Sequence, residues 1–192
     1  MGGKICCFDT RGRNFEMIFN ELKLKGVFKI ELEKIEDDRG FFSRAWDQNE
    51  FEKNGLNTKI VQSNISFNKN KGTLRGLHYQ ISPFEEAKLV RCTQGKIYEV
   101  MLDLRKESET YKQWEAIELS QYNYNFLYVP EGFALGFQTL EDNTELFYQM
   151  SEKYVPESAR GINYKDPEFK IDWPLKIETI SERDSSFEFF KE

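Results

Sequence analysis

Beyond residue 59 almost no stretch of this chain reads as a long helix. Short runs of β-branched and aromatic residues follow one another instead, each closed by Gly, Pro or a polar turn. The strand candidates are 59–67, 74–80, 89–92, 96–104, 114–119, 126–129 and 144–150, with turns at 69–72 and 94–95. Phe (17) and Tyr (9) are abundant, and their rings suit a pleated surface. So many short strands would leave many unpaired edges. An antiparallel barrel or double-sheet roll hides them, so the expected fold is all-β.

The first part of the chain is less regular. Residues 1–16 read as a polar, Gly-containing leader, and 17–192 as a single domain. A strand is expected at 27–32, a turn at 37–40 and a second strand at 41–46. Asp47 reads as a helix cap with Glu50 as its reciprocal partner, and Phe51 and Gly55 give a short helix and its stop. The Pro-rich, charged segment from Tyr154 reads as loop and short helix, packed down by Ile171, Trp173 and Phe187.

Composition narrows the function. The net charge of −6 argues against a dedicated nucleic-acid binder, which needs a basic face. No apolar run approaches the roughly 20 residues of a membrane span. Three cysteines (Cys6, Cys7 and Cys92) do not make a disulfide framework, so a reducing, cytoplasmic setting is expected.

His78 is the single histidine. One imidazole cannot build a histidine metal cluster, but it can serve as a general base, with a reference pKa near ~6.5. A histidine hydrogen-bonded in a core is the competing reading. In strict strand alternation Gly76, His78 and Gln80 share one face and Arg75 points the other way, unless Gly76 marks a bulge. Lys88, Glu99 and Tyr148 are polar residues in apolar strands. They either face solvent or line a cavity, where unpartnered charges would cost several kcal/mol each.

The chain also resembles a known family. The motifs are Asp38-Arg39-Gly40-Phe41-Phe42, Gln62 with Asn64, Leu74 to Gln80, Lys88 to Cys92, Asp103 to Ser108 and Pro130 to Phe137. Tyr148, Tyr154-Val155-Pro156, Asp166-Pro167 and Trp173-Pro174 follow in order. Together they resemble the dTDP-4-dehydrorhamnose 3,5-epimerases, cupin-like enzymes acting on nucleotide-linked 4-keto sugars. The resemblance implies a cupin-like jelly roll with short peripheral helices. It implies a homodimer with exchanged strands, no metal and no cofactor, and a dTDP- or GDP-linked sugar as ligand.

By resemblance, His78 matches the catalytic base, Asp184 its orienting carboxylate, Tyr148 the acid and Lys88 the group near the 4-keto oxygen. Arg39, Phe42, Arg44, Gln62, Asn64, Arg75, Gln80, Leu135 and Tyr154 match the substrate-binding shell. Some positions depart: Leu135 stands where the family has a second His, Arg44 and Ala159 where Glu is frequent, and Glu99 where Asp is common. The implied reaction is epimerisation at C3, C5 or both of a 4-keto-6-deoxy sugar. A ketoisomerase and a sugar-nucleotide binding protein without turnover are the alternatives. The four catalytic matches argue against the last.

Overall fold

A computed structural model describes residues 16–191; the expected leader lies, but for Glu16, outside the described residues. Along the chain run β1 (Met17–Glu21), β2 (Phe28–Leu32), β3 (Ile35–Asp37), β4 (Gly40–Phe42) and helix α1 (Gln48–Lys53). There follow β5 (Gln62–Asn68), β6 (Thr73–Gln80), β7 (Lys88–Gln94), β8 (Lys96–Asp103) and β9 (Trp114–Ser120). Then come β10 (Phe126–Val129), β11 (Phe133–Thr139), β12 (Thr144–Met150), β13 (Ala159–Gly161), β14 (Thr179–Ile180) and helix α2 (Glu182–Ser185).

Two sheets face each other in a cupin-like jelly roll. The first has the order β1-β2-β10-β7-β12-β5, and the second β13-β6-β11-β8-β9 with β14 added parallel to β6. Strands β3 and β4 form a separate hairpin. Between the sheets lie Val90, Cys92, Leu127 and Leu146 from the first and Ile97, Met101, Phe133 and Leu135 from the second. Each fully buried aliphatic side chain of this kind contributes about 1.5–3 kcal/mol.

Both outer faces are also covered. Phe51 of α1 packs with Ile30, Leu89 and Tyr128 on the first sheet. Ile162 and Phe169, with Ile171, Trp173 and Phe190, cover the second. This cover explains why β10 is buried throughout and β8 is buried without a break from Glu99 to Asp103. A sheet packed on both faces loses the apolar–polar alternation of a half-exposed one.

Several expectations need correction. β11 is a central strand of the second sheet, yet its Gly136 and the preceding Pro130 and Gly132 give the segment the look of a loop. The strand expected at 41–46 ends at Phe42. Asp47 does cap α1, accepting from Glu50 N at 3.2 Å, but Glu50 does not reciprocate. Its carboxylate instead accepts from Met17 N at 2.7 Å and Arg44 Nη1 at 2.8 Å, tying the helix to β1 and to the segment before it. Among the described residues no helix is long and apolar enough to cross a membrane.

Candidate active site

The site is organised by a bulge at Gly76. Leu135 of β11 pairs with His78, but Phe137 pairs with Arg75, so β6 carries one extra residue between the two pairs. Gly76 has φ +120°, and an added Cβ would lie 2.5 Å from Gly136 Cα and 2.8 Å from Leu135 O. Only glycine fits there. The extra residue brings Arg75 and His78 to the wall of one cavity of about 330 Å³.

His78 Nε2 lies 2.8 Å from Asp184 Oδ1. Ser181 caps α2, its Oγ accepting from Asp184 N at 3.0 Å, and this sets the carboxylate on the bulge. Asp184 Oδ2 accepts from Gly76 N at 3.0 Å. Burial opposes charge on Asp184, but hydrogen bonds from His78 and Gly76 N–H outweigh it and hold the carboxyl below its ordinary range. An ionised Asp184 accepts the N–H of one ring nitrogen, so neutral His78 keeps its other nitrogen as an acceptor. The half-exposed ring is not a core histidine: it lines two cavities.

Lys88 and Glu99 do not face solvent. Glu99 is 3% exposed, and the Lys88 ammonium is held by Glu86 Oε1 at 3.0 Å. Both line the larger cavity with Tyr148. Burial, reinforced by Glu86 and Glu99 and opposed by Arg75, raises the Tyr148 phenol above its ordinary value, so it stays protonated. A second cavity of about 160 Å³ shares His78, Lys88 and Tyr148 with the first and adds Gln62, Gln80, Tyr154 and Arg160. His78 comes from the second sheet; Lys88 and Tyr148 come from the first. The three therefore reach the interior from facing walls.

The binding residues expected from sequence divide into three groups. Arg75, Leu135, Gln62, Gln80 and Tyr154 line one of the two cavities. Arg75 Nε donates to Asn68 Oδ1 at 2.7 Å; Asn64 lines neither cavity but accepts from Gln62 Nε2 at 3.0 Å, so it touches a residue of the wall. Gln80 also holds the surroundings in place. Its amide bonds Phe84 O, Lys153 O and Val155 N, fixing the loops beside the cavity. Arg39, Phe42 and Arg44 line neither cavity. Arg39 and the 64% exposed Phe42 project on the β3–β4 hairpin, and Arg44 is paired with Glu50 and Asp47.

Sequence reasoning misses two residues that matter here. Phe187 stands edge-on to His78, with ring centroids 5.8 Å apart, and fills the space over Gly161, where any Cβ would collide with its ring. Its place in the sequence suggests packing alone, with no link to His78. Glu86, in a loop after the Pro83 turn, gives no strand or motif signal at all. Among the described residues no cluster of three or more His, Cys, Asp or Glu side chains is placed to hold a metal ion.

Comparison with known proteins adds an independent finding. The family model described as dTDP-4-dehydrorhamnose 3,5-epimerase matches residues 21–192. A protein of that description from Sinorhizobium fredii is 42% identical over 172 residues, covering 89% of this chain and 88% of its own. The crystal structure of the Elizabethkingia anophelis 3,5-epimerase superposes with a TM-score of 0.88 at 37% identity, covering 91% of this chain and 96% of that one. The Bacillus anthracis 3,5-epimerase, solved with TDP and PPi bound, also gives 0.88, at 36% identity with 91% and 100% covered.

Proposed function

The chain belongs to the dTDP-4-dehydrorhamnose 3,5-epimerase family and is an isomerase of nucleotide-linked 4-keto-6-deoxy sugars; from that premise we propose how its own residues perform the C3/C5 epimerisation. The 4-keto group acidifies the hydrogens on C3 and C5. His78, oriented by Asp184, removes one as general base, and Asp184 stabilises the imidazolium that results. The pair of electrons left behind delocalises onto the ketone oxygen. Lys88 faces that oxygen and stabilises the enolate by charge already in place. Tyr148 then returns a proton from the other side of the ring, which inverts the carbon.

One observation carries this reading: His78 and Tyr148 stand on opposite sheets and line the same two cavities as Lys88. Base and acid on one wall would return the proton to the face it left, with no inversion. A dTDP-linked sugar is the proposed substrate, supported by the TDP bound to the B. anthracis relative. Arg75 would face its diphosphate, with Gln62, Asn64, Gln80, Leu135 and Tyr154 around the rest of the ligand.

Residues 17–192 act as one epimerase domain, and the working form is a homodimer. The exposure of Phe42 and Arg39 supports this, because the hairpin is anchored to its own chain through Phe41, whose ring meets Tyr124 edge-on at 4.9 Å. Its outer residues then reach the cavity of a second copy. A cytoplasmic location fits Cys92, a buried free thiol. The test is incubation with dTDP-, GDP- and CDP-linked 4-keto-6-deoxy sugars in D₂O, followed by NMR. Deuterium at C3 and C5 with inverted product from the dTDP sugar is expected. A protein that binds the dTDP sugar without exchange at either carbon is not an epimerase.

A further inference from the structure

We propose that Glu99 is a positioning residue: because Glu86 already holds Lys88, Glu99 stands beside the lysine as a neutral carboxylic acid at neutral pH and leaves the ammonium's remaining charge to the substrate. The inference rests on the role given to Lys88 above. Two carboxyl groups and one ammonium share this part of the interior. Glu86 Oε1 bonds Lys88 Nζ at 3.0 Å, whereas no ion pair within 4.0 Å joins Lys88 to Glu99. Glu99 is 3% exposed, and among the described residues nothing hydrogen-bonds its Oε2.

No second cation is paired with Glu99: no ion pair within 4.0 Å joins it to Arg75, as none joins it to Lys88, and Arg75 donates elsewhere. Lys88 and Cys92 face Glu99 from β7 and Tyr148 from β12, Arg75 and His78 of β6 line the same cavity, and Glu86, in the loop before β7, is joined to Lys88. β11 contributes the apolar Leu135 and Phe137, and β9 places Ile117 opposite. Arg75 is turned toward β5, donating to Asn68 and to Phe67 O. Cys92 and Tyr148 are both held neutral by burial, the Cys92 thiol pushed up to about 12. A buried, uncompensated carboxylate is strongly disfavoured. Burial accordingly pushes the Glu99 carboxyl up to about 8, against the pull of Lys88. Ionised, it would place a second negative charge where the enolate's charge must develop, and Lys88 would be divided among three anions.

Infrared spectroscopy of the wild type, Glu99→Gln and Glu86→Gln tests this without substrate. The wild type should show the carbonyl band of a buried protonated carboxyl at neutral pH, fading as the pH rises through about 8 and absent from Glu99→Gln. In Glu86→Gln the lysine loses its partner, so Glu99 should ionise and its band vanish at neutral pH. A wild-type spectrum lacking the band, or a band that persists in Glu86→Gln, overturns the proposal.

The pH profile of kcat supplies the functional arm. Ionisation near about 8 should lower wild-type turnover by up to about tenfold by about pH 9, and Glu99→Gln should lose that decline. Coincident alkaline limbs in the two proteins overturn the positioning role while leaving Lys88 in place. Failure of the reaction itself would appear as absent exchange in D₂O, and the infrared result stands apart from it.

Discussion

Two clusters of side chains at the cavity hold their charges by different means. In the one beside β6, Asp184 is bonded to Gly76 N–H and to His78, on a helix capped by Ser181. In the other cluster Lys88 of β7 satisfies one oxygen of Glu86, while Glu86 Oε2 and Oε2 of Glu99, which reaches in from β8 of the second sheet, have no partner among the described residues. A fully bonded network fixes a geometry, and here it fixes a tautomer. A partly bonded one is sensitive to every charge brought near it, which suits a place where charge appears and disappears during a reaction.

The dyad is the place to break this comparison most severely. His78→Ala should abolish exchange at C3 and C5, and Asp184→Asn should reduce turnover by about a hundred- to ten-thousandfold, through loss of the tautomer and of imidazolium stabilisation. Exchange at the wild-type rate in His78→Ala, followed by NMR in D₂O, removes the imidazole from the chemistry. Tyr148→Phe acts across the ring and should have a smaller, split effect. Inversion should fall by about tenfold or more while exchange persists, because the base still works. Normal product stereochemistry and rate from this variant would show that another group delivers the proton.

The smallest effect is on stability, and it has opposite sign in the two clusters. Asp184 is held below its ordinary value, so its contribution is present above the unfolded value of 3.8 and lost as pH falls through the folded value. Glu99 is raised from 4.5 to about 8, so the folded protein binds the extra proton across that window. Stability from Glu99 therefore declines as pH rises from about 4.5 to about 8. Thermal melts should show Glu99→Gln gaining on the wild type over that range, by about 2–4 °C for each kcal/mol. A constant difference across the window contradicts a raised Glu99 carboxyl.

Much of this was legible in the residues because strands advertise themselves through local pattern. The segments 126–129 and 144–150 emerge with the boundaries expected, and Asp47 caps a helix as its side chain suggests. The bulge at Gly76 was one of two open alternatives until the register with β11 decided it. β11 itself was hidden because its glycine serves the close approach of β6 rather than a turn: a Cβ on Gly136 would lie 2.9 Å from Arg75 O. Arg44 pairs in a way that no motif announces. Its motif position pointed to a ligand, but its guanidinium is taken up by Asp47 and Glu50 in its own chain.

By itself the order of residues determined an all-β chain with one imidazole, one candidate phenol and a lysine in apolar strands, because periodicity and composition are local properties. Only the tertiary structure decided which charges are dry, which carboxyl holds Lys88, and that His78 and Tyr148 stand on facing sheets. Those outcomes depend on groups far apart in the chain: 106 residues separate His78 from Asp184. Their ionisation follows from the burial and neighbours that folding gives them, which no local pattern encodes.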